Sequence, residues 1–202
     1  MILPIACIVE GHGEVPSVPI LIRRIAAAHD VRWELKIPAP IRIAKSRLLK
    51  ADELERAVEL AARSTGRKGG ILVLLDSDDD CPASEAPQLV GRIQQSHRDL
   101  LYAVVMAKCE FESWFLAGAE SLRGHQGFPN HLTGPPDPES IRGAKEWLSR
   151  QRPGDWAYRE TLDQPSLSAV VDLESISARS RSFRKLQKEV IRLCTQIEKL
   201  AT

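Results

Sequence analysis

Apolar positions along this chain follow two periods, and the shorter period comes first. Ile71 to Leu75 are five apolar residues in a row, entered through Gly69-Gly70 and stopped by Asp76. So short a run, apolar on both alternating faces, predicts a strand buried on both sides of a parallel sheet. Ile2 to Val9 predicts the first strand, with Pro4 near its start, where proline is tolerated. Arg32 to Ile37 alternates Trp33, Leu35 and Ile37 with charges, as an edge or half-covered strand does, and Leu101 to Ala107 is a fourth apolar run. Helical spacing lies between them. It predicts helices from Val18 to about His29, from the Asp52-x-x-Glu55 capping box to Arg63, and from about Ser84 to His97, with Ser17 as the first cap. Strand and helix thus alternate, which predicts an α/β fold: a mostly parallel four-stranded sheet flanked by helices.

Beyond the fourth strand the pattern turns helical. Lys108 to Leu116 opens a short helix, Gly118 to Pro138 is a glycine- and proline-rich loop, and Asp137-Pro138-Glu139 starts a helix to about Arg150. A looser stretch from Pro153 to Gln164 leads to a short helix from Ser166. Ser182 to Leu200 carries Phe183, Leu186, Val190, Leu193, Ile197 and Leu200 at 3-4 spacing, an amphipathic helix whose stripe should pack on the core. The expected organisation is a sheet domain over residues 1–118 and a helical C-terminal region over 119–202 packed on it.

Composition narrows the class only a little. Of 202 residues, 43% are hydrophobic and 27% charged, which suits a globular chain able to bury a core. A formal charge of +1 means that any contact with nucleic acid must come from local basic patches. Cys7, Cys81, Cys109 and Cys194 are far apart and form no C-x-x-C pair, which argues against a zinc site or a disulfide framework. With no basic leader and no apolar run long enough to cross a bilayer, the expected location is the cytoplasm, without a membrane partner.

The chemistry begins where the strands end. Glu10 and Glu14 follow the first strand in Glu10-Gly11-His12-Gly13-Glu14, Asp76, Asp78 and Asp80 follow the central one, and Glu110 and Glu112 follow the fourth. A parallel sheet gathers the carboxyl ends of its strands along one edge, where ligands of open α/β sheets bind. Alternation places Asp76 and Asp78 on one side of the chain with Asp79 turned away. Carboxylates so close repel unless a proton or cation lies among them, so the cluster suggests a hard divalent ion, Mg²⁺ or Mn²⁺. Glu10, Asp76 and Asp78 are the expected catalytic set, and His12 in the same turn is a minor candidate for contact with metal or proton. An EF-hand is excluded by Cys81 and Pro87 at its glycine and closing glutamate positions, and no Walker A sequence exists to pair with a Walker B aspartate. A solvated acidic turn capping the next helix remains the plain alternative.

A glutamate in an apolar-Glu-Gly turn after strand one, with Asp-x-Asp after a later strand, resembles the Toprim domain over about residues 2–117. That domain occurs in topoisomerases, bacterial primases and OLD-family nucleases. The stretches "IVEGHGEVPSVPIL", "LLDSDDDCPA", "KCEFESWFLAG" and "DQPSLSAVVDLESISARSRSFRKL" look like an uncharacterised bacterial family of Toprim-like proteins related to OLD-family nucleases. The resemblance implies that Glu10, Glu14, Asp76, Asp78 and Asp80 serve as metal ligands or acid and base, with Glu110 and Glu112 the additional acids of nuclease-type members. It implies cleavage of nucleic-acid phosphodiesters with Mg²⁺ or Mn²⁺, an ABC/SMC-type ATPase partner encoded nearby, and a role in anti-phage defence. A homo-oligomer is compatible with it.

Two basic patches complete the picture. Arg42, Lys45 and Arg47 lie in a stretch without acids, and Arg181, Arg184 and Lys185 cluster at the start of the last helix, a ready phosphate site. Beside a metal centre both become expected nucleic-acid grips. Two other functions stay open: a non-catalytic sensor or binding module, and a small-molecule phosphatase or phosphotransferase.

Overall fold

The computed structural model describes residues 2–154 and 156–201, so Met1, Asp155 and Thr202 lie outside the described residues. The chain forms β1 (Ile2–Val9), α1 (Glu14–Ala28), β2 (Glu34–Lys36), β3 (Ile41–Arg42), α2 (Lys45–Leu48) and α3 (Glu53–Ser64). There follow β4 (Gly70–Asp76), α4 (Pro82–Ser96), β5 (Leu101–Ala107), α5 (Ser113–Ala117), α6 (Ala144–Arg150), α7 (Glu160–Val170), α8 (Leu173–Arg179) and α9 (Arg181–Ala201). All pairings are parallel, in the order β2-β1-β4-β5. The fifth strand, absent from the sequence expectation, is the two-residue β3. It pairs with the far end of β1 after β2 has paired with the near end.

From β1 the chain first adds β2 on one side and later β4 on the other. The direction of winding therefore reverses between β1 and β4, which is where a doubly wound sheet opens a binding crevice.

Side chains alternate across the sheet as strand geometry requires. Leu3, Ile5, Cys7, Val9, Leu72, Leu74 and Val105 face a layer made by α1, α5, α7 and α9. Ala6, Ile8, Ile71, Val73, Leu75 and Val104 face α3 and α4. The predicted stripe of the last helix packs on the core through Phe183, Leu186, Val190, Leu193 and Ile197, all buried, whereas the stripe's last residue, Leu200, is 73% exposed at the end of the helix. The C-terminal helices thus share one layer over the sheet with α1, with α9 on β5, β4 and β1 and α7 on α1.

Several boundaries moved for local reasons. The first helix begins at Glu14, so Ser17 is not its cap; the hydroxyl instead donates back to Gly13 O at 2.6 Å, one turn below. Asp52 does precede α3, but it adopts φ 62° and makes no side-chain cap. The helix expected from Asp137 to Arg150 is broken: a 3-10 turn covers Pro138–Ser140, and α6 starts only after Gly143, at φ 69°. The stretch expected to be loose up to Gln164 is already helical from Glu160.

Candidate metal centre

Three strands that neighbour one another, β1, β4 and β5, deliver their acids to one edge, as the parallel order demands. The edge has an inner pocket and an outer pair. Glu14, on the first turn of α1, is 3% exposed, and Glu112, before α5, is 1% exposed. Asp76 ends β4, and its Oδ1 accepts the Phe111 amide at 2.8 Å, so the strand end and the turn carrying Glu112 are tied together.

These carboxyls sit too deep and too close to ionise freely. Burial, and after it the charges of Glu14, Glu112 and Glu10, hold the Asp76 carboxyl well above its usual range. Burial pushes Glu14 up to about 7, with Glu112 and Glu10 adding repulsion against the amides of Glu10 and Gly11. Burial likewise pushes Glu112 up to about 7, although Lys145 draws it down. The Glu10 carboxyl is raised too, by burial first and then by Asp78.

Glu10 stands between the two halves. Its Oε1 accepts the Lys45 amide at 3.2 Å, while its Oε2 is buried with no hydrogen-bond partner. Its own amide donates to Glu14 Oε2 at 3.0 Å, folding the turn over that carboxylate. The glycines of this turn are needed for close approach. A Cβ on Gly13 would come within 2.3 Å of Gln164 Oε1 and 2.6 Å of Glu160 O, and one on Gly11 within 2.7 Å of Glu160 Oε1.

The outer pair departs from the expected alternation. After Asp76 the chain leaves the extended conformation: Asp78 has φ 49°, its amide donates to Cys109 O, and the Asp80 amide donates to Ser77 O. Asp78 is instead held, with Asp80, by the Lys45 ammonium at 2.9 and 3.0 Å. Asp79 pairs with Arg142. Glu110 is committed elsewhere, accepting the Gly143 amide at 2.8 Å at the start of α6. His12 is exposed, so it lies outside the buried pocket.

The C-terminal layer supplies residues that sequence reasoning missed. Tyr158 Oη and Gln164 Nε2 donate to Glu112 Oε1 at 3.1 and 3.2 Å. Lys145 Nζ lies 3.9 Å from Glu112 and 3.1 Å from Glu160, whose other oxygen accepts the Gly13 amide. Burial alone would lower the Lys145 pKa, but Glu112 and Glu160 more than offset it and raise it. A buried Arg152–Asp163 pair at 3.0 Å, with the guanidinium over the Phe128 and Trp156 rings, ties the turn after α6 to α7, and the Tyr158 amide donates to Ser149 Oγ at 2.8 Å. Gln164 gave no signal in the sequence, because it lies among the polar Glu160, Thr161, Asp163, Ser166 and Ser168 of the same helix.

The basic residues are less uniform than their spacing suggests. Lys45 is turned inward beneath the acids and offers no free ammonium to a phosphate, which corrects its place among the expected grips. Arg47 is exposed and pairs with Glu53, and Arg42 is exposed at the end of β3. The start of α9 is not an open phosphate site either. Glu139 already fills it, accepting the amides of Arg181 and Ser182 and the hydroxyls of Ser180 and Ser182. Arg181 and Lys185 line a cleft of about 730 Å³ beside Lys108, Cys81, Val104 and Met106 on the free side of β5. Arg184 donates to Ser177 O and Ala178 O, closing the end of α8.

Among the described residues, no three histidine, cysteine or acidic side chains already surround a point as ligands would. The donor set nevertheless suits a hard cation: only oxygens, an orphaned Glu10 Oε2, and carboxyls raised by burial first and then by one another's charge.

Fold and site together define an α/β chain with a buried acidic centre at the carboxyl edge of a parallel sheet. The chain matches the family described as "Domain of unknown function (DUF4276)" over residues 9–191, and it belongs to that family. No curated protein and no solved structure matches it.

Proposed function

We propose that this chain is a Toprim-like, metal-dependent phosphodiesterase acting on nucleic acid. The observation that carries the proposal is the convergence of Glu10, Glu14, Asp76 and Glu112 at this sheet edge, Glu14 and Glu112 buried, Glu10 and Asp76 half-buried, and their charges mutually repelling. So many buried acids destabilise the fold unless they serve a ligand that offsets the repulsion. Glu10, Glu14, Asp76 and Glu112 would hold Mg²⁺ or Mn²⁺ after small side-chain rotations. Such an ion, when bound, polarises a phosphoryl oxygen and lowers the pKa of its water.

The chain's own groups prepare that event. Tyr158 and Gln164 orient Glu112 through Oε1, and the Phe111 amide orients Asp76 through Oδ1. Lys145 places a cation at the mouth, where the charge of a phosphodiester would lie. Exposed Arg42, Arg181 and Lys185 would position the backbone of the substrate. The relation to OLD-family nucleases, an ABC/SMC-type ATPase partner and a cytoplasmic role in phage defence belong to the same proposal. They rest on the sequence resemblance. In keeping with a reducing compartment, all four cysteines are free, and among the described residues no helix is long and apolar enough to cross a membrane.

The test is hydrolysis of end-labelled DNA and RNA with Mg²⁺ or Mn²⁺, by the wild type and by Asp76→Asn, with and without the neighbouring ATPase. Metal-dependent cleavage that Asp76→Asn abolishes supports the proposal. A folded wild-type chain that binds its partner yet cleaves nothing points instead to the sensor module.

A further inference from the structure

We propose that Lys45 occupies the second cation position of this centre, so that the acidic edge takes one divalent ion and not two. The inference rests on the metal-dependent reading above and goes beyond it by assigning the outer acids.

Lys45 Nζ has three oxygen acceptors, Asp78 Oδ2 at 2.9 Å, Ser77 O at 3.1 Å and Asp80 Oδ2 at 3.0 Å. An ammonium carries three donors, so its bonding capacity is met. The side chain is 10% exposed, while Asp78 and Asp80 are 61% and 49% exposed, so the acids lie over the ammonium. The cage is built into the main chain. Asp78 adopts φ 49°, its amide is held by Cys109 O at 2.9 Å, and the Asp80 amide by Ser77 O at 2.8 Å.

The lysine is fixed from its own side as well. Ile43 N donates to Val9 O at 2.8 Å, and Lys45 N donates to Glu10 Oε1 at 3.2 Å. Two-residue β3 thus sets the register that brings this one ammonium to Glu10 and the acidic turn.

Oxygens at 2.9–3.1 Å suit N–H donors, whereas Mg²⁺ demands oxygens near 2.0–2.1 Å in an octahedron. An ion entering the outer pair would have to expel a positive charge tied at both main chain and side chain. Among the described residues, the inner pocket has no such occupant. Lys145 approaches Glu112 only to 3.9 Å and bonds Glu160 instead. The position beside an inner ion, which a second metal fills in two-metal sites, is here supplied by a lysine. Its charge is present at any metal concentration, so occupancy of the centre should follow a simple one-site curve.

The experiment counts Mn²⁺ bound by the full chain at pH 7.5, using the electron paramagnetic resonance signal of free Mn²⁺. One ion per chain is expected for the wild type. One ion is also expected for the Asp78→Asn/Asp80→Asn double variant, with affinity within about threefold of wild type. Lys45→Met, which keeps the stem and removes the charge, should gain a second, weaker ion, with circular dichroism confirming its fold. Two ions on the wild type, loss of Mn²⁺ from the double variant, or a single ion on folded Lys45→Met each overturn the assignment of Lys45 alone. A wild type that binds none overturns the metal centre as well.

Discussion

The Phe111 amide donates to Asp76 Oδ1 at 2.8 Å, so the acid that ends β4 is aimed by the turn that follows β5. An asparagine keeps that acceptor and removes the charge. Asp76→Asn should therefore raise the melting temperature of the metal-free protein at pH 8 by about 2–8 °C, from about 1–2 kcal/mol of relieved repulsion. It should lower cleavage at least about 100-fold, given what a metal-bound group contributes. Asp76→Ala leaves the amide unpaired, which costs about 1–3 kcal/mol, and should melt below Asp76→Asn. Calorimetry of the three proteins orders them.

Stability should depend on pH through Glu14 and Glu112. Their folded pKa values of about 7 lie above the ordinary 4.5, so between those values the folded state binds more protons than the unfolded chain. The contribution of these two groups is then fully present below about 4.5 and is lost as pH rises through 7. Metal-free protein should melt about 6–12 °C lower at pH 8 than at pH 5.5, from roughly 3 kcal/mol at about 2–4 °C each. Millimolar Mn²⁺ should remove most of that difference. A melting temperature that rises with pH would contradict the burial described for these acids.

Gly13→Ala should destabilise by about 1–3 kcal/mol, because the added methyl meets the Glu160 carbonyl at 2.6 Å as well as the Gln164 side chain. Gly91→Ala, within α4 and with nothing in reach, should instead stabilise by about 0.5–1 kcal/mol. Urea unfolding of both separates close approach from helix propensity.

Basic residues should divide by exposure. Charge reversal at Arg42, or at Arg181 with Lys185, should weaken nucleic-acid binding and reduce its salt slope by about 1 for each phosphate grip removed. Arg184→Glu should mainly lower stability, since that guanidinium closes α8. Fluorescence anisotropy against salt, with parallel melts, decides it.

β1, β4 and β5 were legible because they are apolar on both faces, and β1 and β5 end where the pattern ends. β3 was not, since two residues carry no period, and it is β3 that carries Lys45 to Glu10. The inner acids could be named from strand ends alone, but the hold of Lys45 on Asp78 depends on a left-handed backbone at a non-glycine residue, which alternation does not anticipate. Lys145, Tyr158 and Glu160 arrive through the packing of α6 and α7 on the Gly11–Gly13 turn. Such long-range convergence leaves no spacing to find.

The central claim is that Glu10, Glu14, Asp76 and Glu112 hold a divalent cation. Anomalous scattering from a crystal grown with Mn²⁺ tests it most directly. The account predicts one strong peak within about 2.0–2.4 Å of oxygens from these carboxylates and their waters. A fully loaded crystal with its Mn²⁺ elsewhere, and these acids undisturbed, would contradict it.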